Sequence, residues 1–211
     1  MVAVSKQQPA EKIRTLHQEG QIIFAENYVQ EALGKQHELK NLPIEWHFIG
    51  HLQKNKAKDV VRQFDLIHSV DSVALAEALD RRFESAPPPA NLSHPQPPRQ
   101  NILLQLNLAG EITKGGFSEK ELEQELPRLL HFNHLQITGL MTMPPLFENP
   151  EHARPYFKRL RDLRDQLRRL HPTIQELSMG TSSDYHIAAD EGATLVRLGT
   201  ILFGERPAKI S

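Results

Sequence analysis

Short apolar or alternating runs recur along the chain, each followed by a more polar stretch whose apolar positions fall three and four apart. The runs at 2–6 (VAVSK), 22–26 (IIFAE), 45–50 (EWHFIG), 66–70 (LIHSV), 101–108 (NILLQLNL), 135–141 (LQITGLM), 176–180 (ELSMG) and 195–200 (LVRLGT) predict eight strands. Segments 9–19, 27–40, 54–63, 72–84, 118–131, 151–170 and 184–191 predict the helices between them. The longest carries Phe157, Leu160, Leu163, Leu167 and Leu170 at helical spacing. Eight β units alternating with helices predict an α/β fold, a single (β/α)8 barrel of the TIM type, with a doubly wound open sheet as the alternative.

In such a barrel, alternate residues of a strand face the helices and the barrel interior. Strand 101–108 divides accordingly, with Ile102, Leu104, Leu106 and Leu108 on the outer face and Asn101, Leu103, Gln105 and Asn107 on the inner one. Strand 195–200 sets Val196 and Leu198 against Leu195, Arg197 and Gly199, and a charge such as Arg197 on an inner face needs partners. The Pro-rich stretch 86–98, with six prolines, falls between a helix and the next strand and reads as a spacer loop at the N-terminal face.

Composition narrows the chemistry. The 211 residues contain no cysteine, which excludes disulfides, thiolate metal centres and a cysteine nucleophile, and leaves covalent chemistry to Ser, Thr, Lys, Asp, Glu or His. The net charge of -1 provides no overall footprint for nucleic acid, and no apolar run approaches the roughly 20 residues of a membrane span. The N-terminus lacks the order of a signal peptide, so a cytoplasmic location is expected and the sequon at Asn91 is expected to stay unglycosylated. Residues 1–211 are expected to form one domain, with no membrane or nucleic-acid partner. No metal site is expected: there is no HExxH helix, and His47, His51, His131 and His134 lack an evident set of companion ligands.

Functional residues of a barrel lie at the C-terminal ends of its strands. Two features stand out there. Lys6 shares a face with Val2 and Val4, and an amine in an apolar mouth loses hydration, so its neutral form can add to an aldehyde. SMGTSSD (178–184) and RLGT (197–200) end strands 7 and 8 with Gly and hydroxyl residues, whose N–H and O–H donors suit a phosphate. A lysine and a phosphate cradle on one face point to a phosphorylated aldehyde, the obvious one being pyridoxal phosphate. Asp71, ending strand 4, reads as a cap for the next helix.

At this point the chain resembles a known family over nearly its full length. AVSK (3–6), FAENYVQEA (24–32), EWHFIGHLQKNK (45–56), LIHSVDS (66–72), GLMTM (139–143), LSMGTSSDY (177–185) and VRLGTILFG (196–204) are similar, in order and spacing, to the YggS/PROSC pyridoxal phosphate homeostasis proteins. Alanine racemase N-terminal domains share the barrel but not this set of motifs. The resemblance implies that Lys6 holds pyridoxal 5'-phosphate as an internal aldimine and that Ser178, Ser182, Gly199 and Thr200 bind its phosphate. It further implies that Arg197 faces the pyridine nitrogen and that Asn27, His47 and Met141 line the pocket. Two departures are visible: the family's usual helix ahead of strand 1 has no counterpart, and the usual MGMS reads Met179-Gly180-Thr181-Ser182.

An arginine can only donate to the ring nitrogen, so the ring becomes a weak electron sink. The expectation is therefore a monomeric protein that holds the cofactor with little or no turnover, with pyridoxal phosphate-dependent apoenzymes as candidate recipients. The shortness of the chain, which leaves no second domain to supply a second base, agrees. The alternatives are a pyridoxal phosphate-dependent racemase using Tyr28, Tyr185 or His47 as that base, and a binding module built on the arginine-rich helix 151–170. Asp162 and Asp165, interspersed on that helix, favour a solvated face instead.

Overall fold

The computed structural model describes residues 1–86 and 98–204. All eight expected strands are present: β1 (Val2–Val4), β2 (Ile23–Glu26), β3 (Glu45–Phe48), β4 (Leu66–Val70), β5 (Gln100–Leu106), β6 (Leu135–Thr142), β7 (Glu176–Thr181) and β8 (Leu195–Leu198). Each pairs in parallel with its sequence neighbours, and β8 returns to β1 through Val2↔Arg197 and Ala3↔Leu198. That last pairing closes the sheet and excludes the open alternative. The Pro-rich loop 86–98, apart from Ala86 and Pro98, and with it the Asn91 sequon, lies outside the described residues.

The helices are α1 (Ala10–Gln18), α2 (Val29–Glu38), α3 (Ala57–Val60), α4 (Val73–Phe83), α5 (Glu119–Leu130), α6 (Arg154–Leu170), α7 (Tyr185–Asp190) and α8 (Thr200–Phe203). The expected helix at 54–63 is reduced to a 3-10 turn followed by the four residues of α3, because Val61 leaves the helical region and Arg62 takes φ +65°. α8, a single turn after β8, is too short to produce a periodic pattern. The cap of α4 is Ser72, whose hydroxyl accepts from Leu75 N–H, and not Asp71. α5 starts with a capping box in which Ser118 and Glu121 satisfy each other's backbone N–H.

The period-2 division of the strands builds two apolar layers. Outward residues such as Ile102, Leu104 and Leu106 join the large layer under the helices, which also contains Leu122, Leu126 and Leu129 of α5. Each such leucine contributes about 2 kcal/mol by leaving water. Inward residues form a smaller cluster of Val2, Ala25, Leu66, Leu103, Met141 and Leu195 inside the barrel. Its side chains fill the interior, leaving a packed core and no pore.

Arginines along α6 are matched by carboxylates. Arg154 meets Glu151, Asp190 and Glu191, Arg159 meets Glu119, and Arg161 meets Asp162 and Glu191. That pairing makes the basic helix a solvated, charge-compensated face. Among the described residues, no helix is long and apolar enough to cross a membrane and no group of three or more His, Asp or Glu could hold a metal ion.

Candidate functional site

Above the inner cluster, at the C-terminal ends of the strands, lies a cavity of about 810 Å³. Seven of the residues implicated from the sequence line it: Lys6, Asn27, Met141, Ser182, Arg197, Gly199 and Thr200. They come from the ends of β1, β2, β6, β7 and β8, so closing the barrel is what brings them together.

Lys6 follows β1 in a turn clamped on both sides. Ser5 N–H donates to Ala25 O of β2 and its hydroxyl donates to Glu26 Oε1 at 2.7 Å. Ser5 O accepts from Lys35 Nζ of α2 at 2.7 Å, and the same ammonium reaches Glu26 and Glu31 at 2.6 Å. Gln7, held at φ +60°, donates its N–H to Glu31 Oε1 at 2.5 Å. A non-glycine residue in the left-handed region is strained, and here the clamp maintains it. Burial pushes the Glu26 carboxyl above its ordinary range, against the opposing pull of Lys35. Sequence reasoning missed this clamp, although Glu31 and Lys35 at i,i+4 on a helix were a usable signal.

Asn27 reaches the wall because Gly50 lets β3 end against it: a Cβ at Gly50 would lie 2.0 Å from Asn27 O. The Asn27 side-chain oxygen is buried without a hydrogen-bond partner among the described residues. On the opposite wall, Gly180 takes φ +86° beside a register slip between β7 and β8 at Ser178/Thr181. This bend carries Ser182 to the cavity, where its oxygen accepts from Gly199 N–H at 3.2 Å. Thr200 opens α8, so hydroxyls and the first N–H groups of a helix lie along one side of the cavity.

Arg197 forms the floor. Its guanidinium donates to Ser178 Oγ through Nη1 and to Thr142 O through Nη2 at 3.1 Å. Burial lowers it to about 10, against the pull of Asp184, so it stays charged at neutral pH.

Ser178 and His47 are not brought to the cavity. Ser178 is fully buried beneath Arg197, deeper than the end of β7 that leads to the cavity, and its hydroxyl is engaged by Arg197 and His68. His47 is 1% exposed and lies between Glu45 and His68. Both point inward as the strand period requires, but too near the N-terminal end to reach the mouth. Further wall residues come from loops: Thr113, Lys114 and Gly115 after β5, and Met143 and Leu146 after β6. Lys114 ties these two loops by donating to Met143 O and Pro144 O, both at 3.2 Å. Gln105 also lines the cavity, as the inner face of β5 implied, while Asn107 binds the backbone of its own loop. Asp71 lies in a separate cleft with His51.

A family model described as alanine racemase, N-terminal domain matches residues 2–207. A pyridoxal phosphate homeostasis protein of Aquifex aeolicus is 43% identical over 98% of this chain and 86% of its own length. One of Pseudomonas aeruginosa is 41% identical over 98% of this chain and 84% of its own length. PipY of Synechococcus elongatus, solved with pyridoxal phosphate bound, is 42% identical with a TM-score of 0.83, the match covering 97% of this chain and 92% of PipY. The chain thus belongs to the pyridoxal phosphate homeostasis proteins, which are built on the alanine racemase N-terminal barrel.

Proposed function

We propose that this protein binds pyridoxal 5'-phosphate in the cavity at the barrel mouth and acts in homeostasis of that cofactor by holding and releasing it, without turning over a substrate. The observation that carries the reading is the convergence of Lys6, the Ser182–Gly199–Thr200 edge and the buried Arg197 on one cavity. The donor set suits the group: a primary amine, hydroxyl and N–H donors for a dianion, and a fixed cation. When bound, pyridoxal phosphate supplies an aldehyde that a primary amine captures reversibly.

The chain's own residues then divide the work. The clamp on Ser5 and Gln7 aims Lys6 into the cavity, Ser182 and Thr200 with the start of α8 take the phosphate, and Met141 seals the apolar side. Arg197, charged and donor-only, holds a ring nitrogen in its unprotonated form. That favours storage over bond-breaking, since a protonated nitrogen is what makes the ring a strong electron sink. Tyr28, Tyr185 and His47 do not line the cavity, so none of the three bases considered for a racemase stands beside Lys6. We take residues 1–211 as one binding unit, active as a monomer in the cytoplasm and able to pass its cofactor to apoenzymes.

The purified protein should show a visible absorption band with pyridoxal phosphate, and borohydride should fix the cofactor on the peptide containing Lys6. A protein that stays colourless with added cofactor would refute the reading, and Lys6-dependent formation of D-alanine from L-alanine would replace storage by racemisation.

A further inference from the structure

A chain of hydrogen bonds crosses the barrel interior from the N-terminal face to the floor of the cavity. Glu45, at the start of β3 with its side chain 40% exposed, faces His47 Nε2 at 2.8 Å. His47 Nδ1 faces His68 Nε2 at 2.9 Å, and His68 Nδ1 faces Ser178 Oγ at 2.8 Å. Ser178 Oγ accepts from Arg197. His47, His68 and Ser178 are each at most 1% exposed, and every side-chain nitrogen and oxygen of the three has a partner.

Elementary donor and acceptor rules fix the direction of the whole chain. A carboxylate only accepts, so His47 carries its proton on Nε2. A second proton on His47 Nδ1 would force His68 to donate to Ser178, whose own proton would then face only the Arg197 donor, so His47 Nδ1 is a lone pair and His68 donates from Nε2. Burial above all, with His47 and Arg197 beside it, holds His68 well below its ordinary pKa, so this ring is neutral and its Nδ1 is an acceptor. The Ser178 proton must therefore point to His68, which leaves the Ser178 oxygen to receive Arg197. An inverted ring at either position would set lone pair against lone pair.

We propose that His68, His47 and Ser178 are positioning residues for Arg197: a one-way hydrogen-bond chain anchored on Glu45 fixes the guanidinium that faces the cofactor. This rests on the cavity being the pyridoxal phosphate site. Thr142 O holds Nη2 from one side only, and Ser178 supplies the second point that sets the plane of the group. Such indirect support is what keeps a site's functional group within a fraction of an ångström of its working place.

The test has two parts that fail separately. In the 15N-labelled full-length protein without cofactor, nitrogen-15 NMR at neutral pH should show His47 and His68 as neutral rings protonated on Nε2, with signals assigned by their loss in His47→Gln and His68→Leu. A charged His68, or one protonated on Nδ1, would overturn the chain whatever the cavity binds. With pyridoxal phosphate added, Ser178→Ala and His68→Leu should bind about tenfold more weakly and shift the absorption maximum of the bound form. Wild-type affinity and an unchanged spectrum in a folded Ser178→Ala protein would overturn the positioning role. No binding by wild type, with the expected NMR pattern intact, would instead refute the cofactor reading.

Discussion

A histidine sealed inside a barrel has to stay neutral, and that exacts a cost in acid. The folded-state pKa of His68 lies well below 6.5, so the unfolded chain takes up the proton first as pH falls. Stability linked to His68 is therefore complete above about 6.5 and drains away below it, at up to about 1.4 kcal/mol per pH unit. Glu26 works in the opposite sense: its raised pKa means the folded state gains its proton first, adding stability as pH drops towards 4.5. Urea unfolding of wild type and His68→Gln between pH 7 and 5 should show a steeper loss in wild type. Parallel curves would mean that His68 does not carry this linkage. The inward phase of Arg197 was legible from alternation in its strand, and the same phase applied to Ser178. How deep each residue sits along the barrel axis was not, because depth depends on the stagger between strands, and so Ser178 and His47 were placed a layer too high.

At the scale of elements, β1 ends in a turn that is held from outside. Lys35 of α2 lies between Glu26 and Glu31 and reaches back to Ser5 O, joining helix, strand and turn in one buried ion cluster. Removing the cation strands Glu26 next to another carboxylate. Lys35→Met should cost about 3–5 kcal/mol in urea unfolding, with weaker binding of pyridoxal phosphate because Lys6 loses its fixed aim. A cost below ~1 kcal/mol would show that the cluster is not what secures the turn. All eight strands were readable because each combines a short apolar run with flanking polar helix. The ion cluster was less so, since three charges spread over Glu26–Lys35 look like an ordinary solvated helix face until the turn after β1 folds against them. The short α8 escaped for another reason: four residues show no period.

For the molecule as a whole, sealing β8 against β1 makes the site a product of the complete ring, with walls from both ends of the sequence. A ligand that binds only the closed barrel must stabilise all of it. Pyridoxal phosphate at a hundred times its dissociation constant should add about 2.7 kcal/mol, raising the melting temperature by roughly 5–10 °C in a single transition. Differential scanning calorimetry would expose a second transition that ignores the ligand, and this would argue against one cooperative ring.

The six inner side chains have a consequence for traffic. Val2, Ala25, Leu66, Leu103, Met141 and Leu195 pack the barrel interior, so no way in leads along the barrel axis from the N-terminal face. The way in lies on the side of the loops that follow the strands, where exposed Leu146 lines the cavity. A macromolecule taking up pyridoxal phosphate under the proposed function would stand at those loops, and while it stood there it would also shut the way out to water.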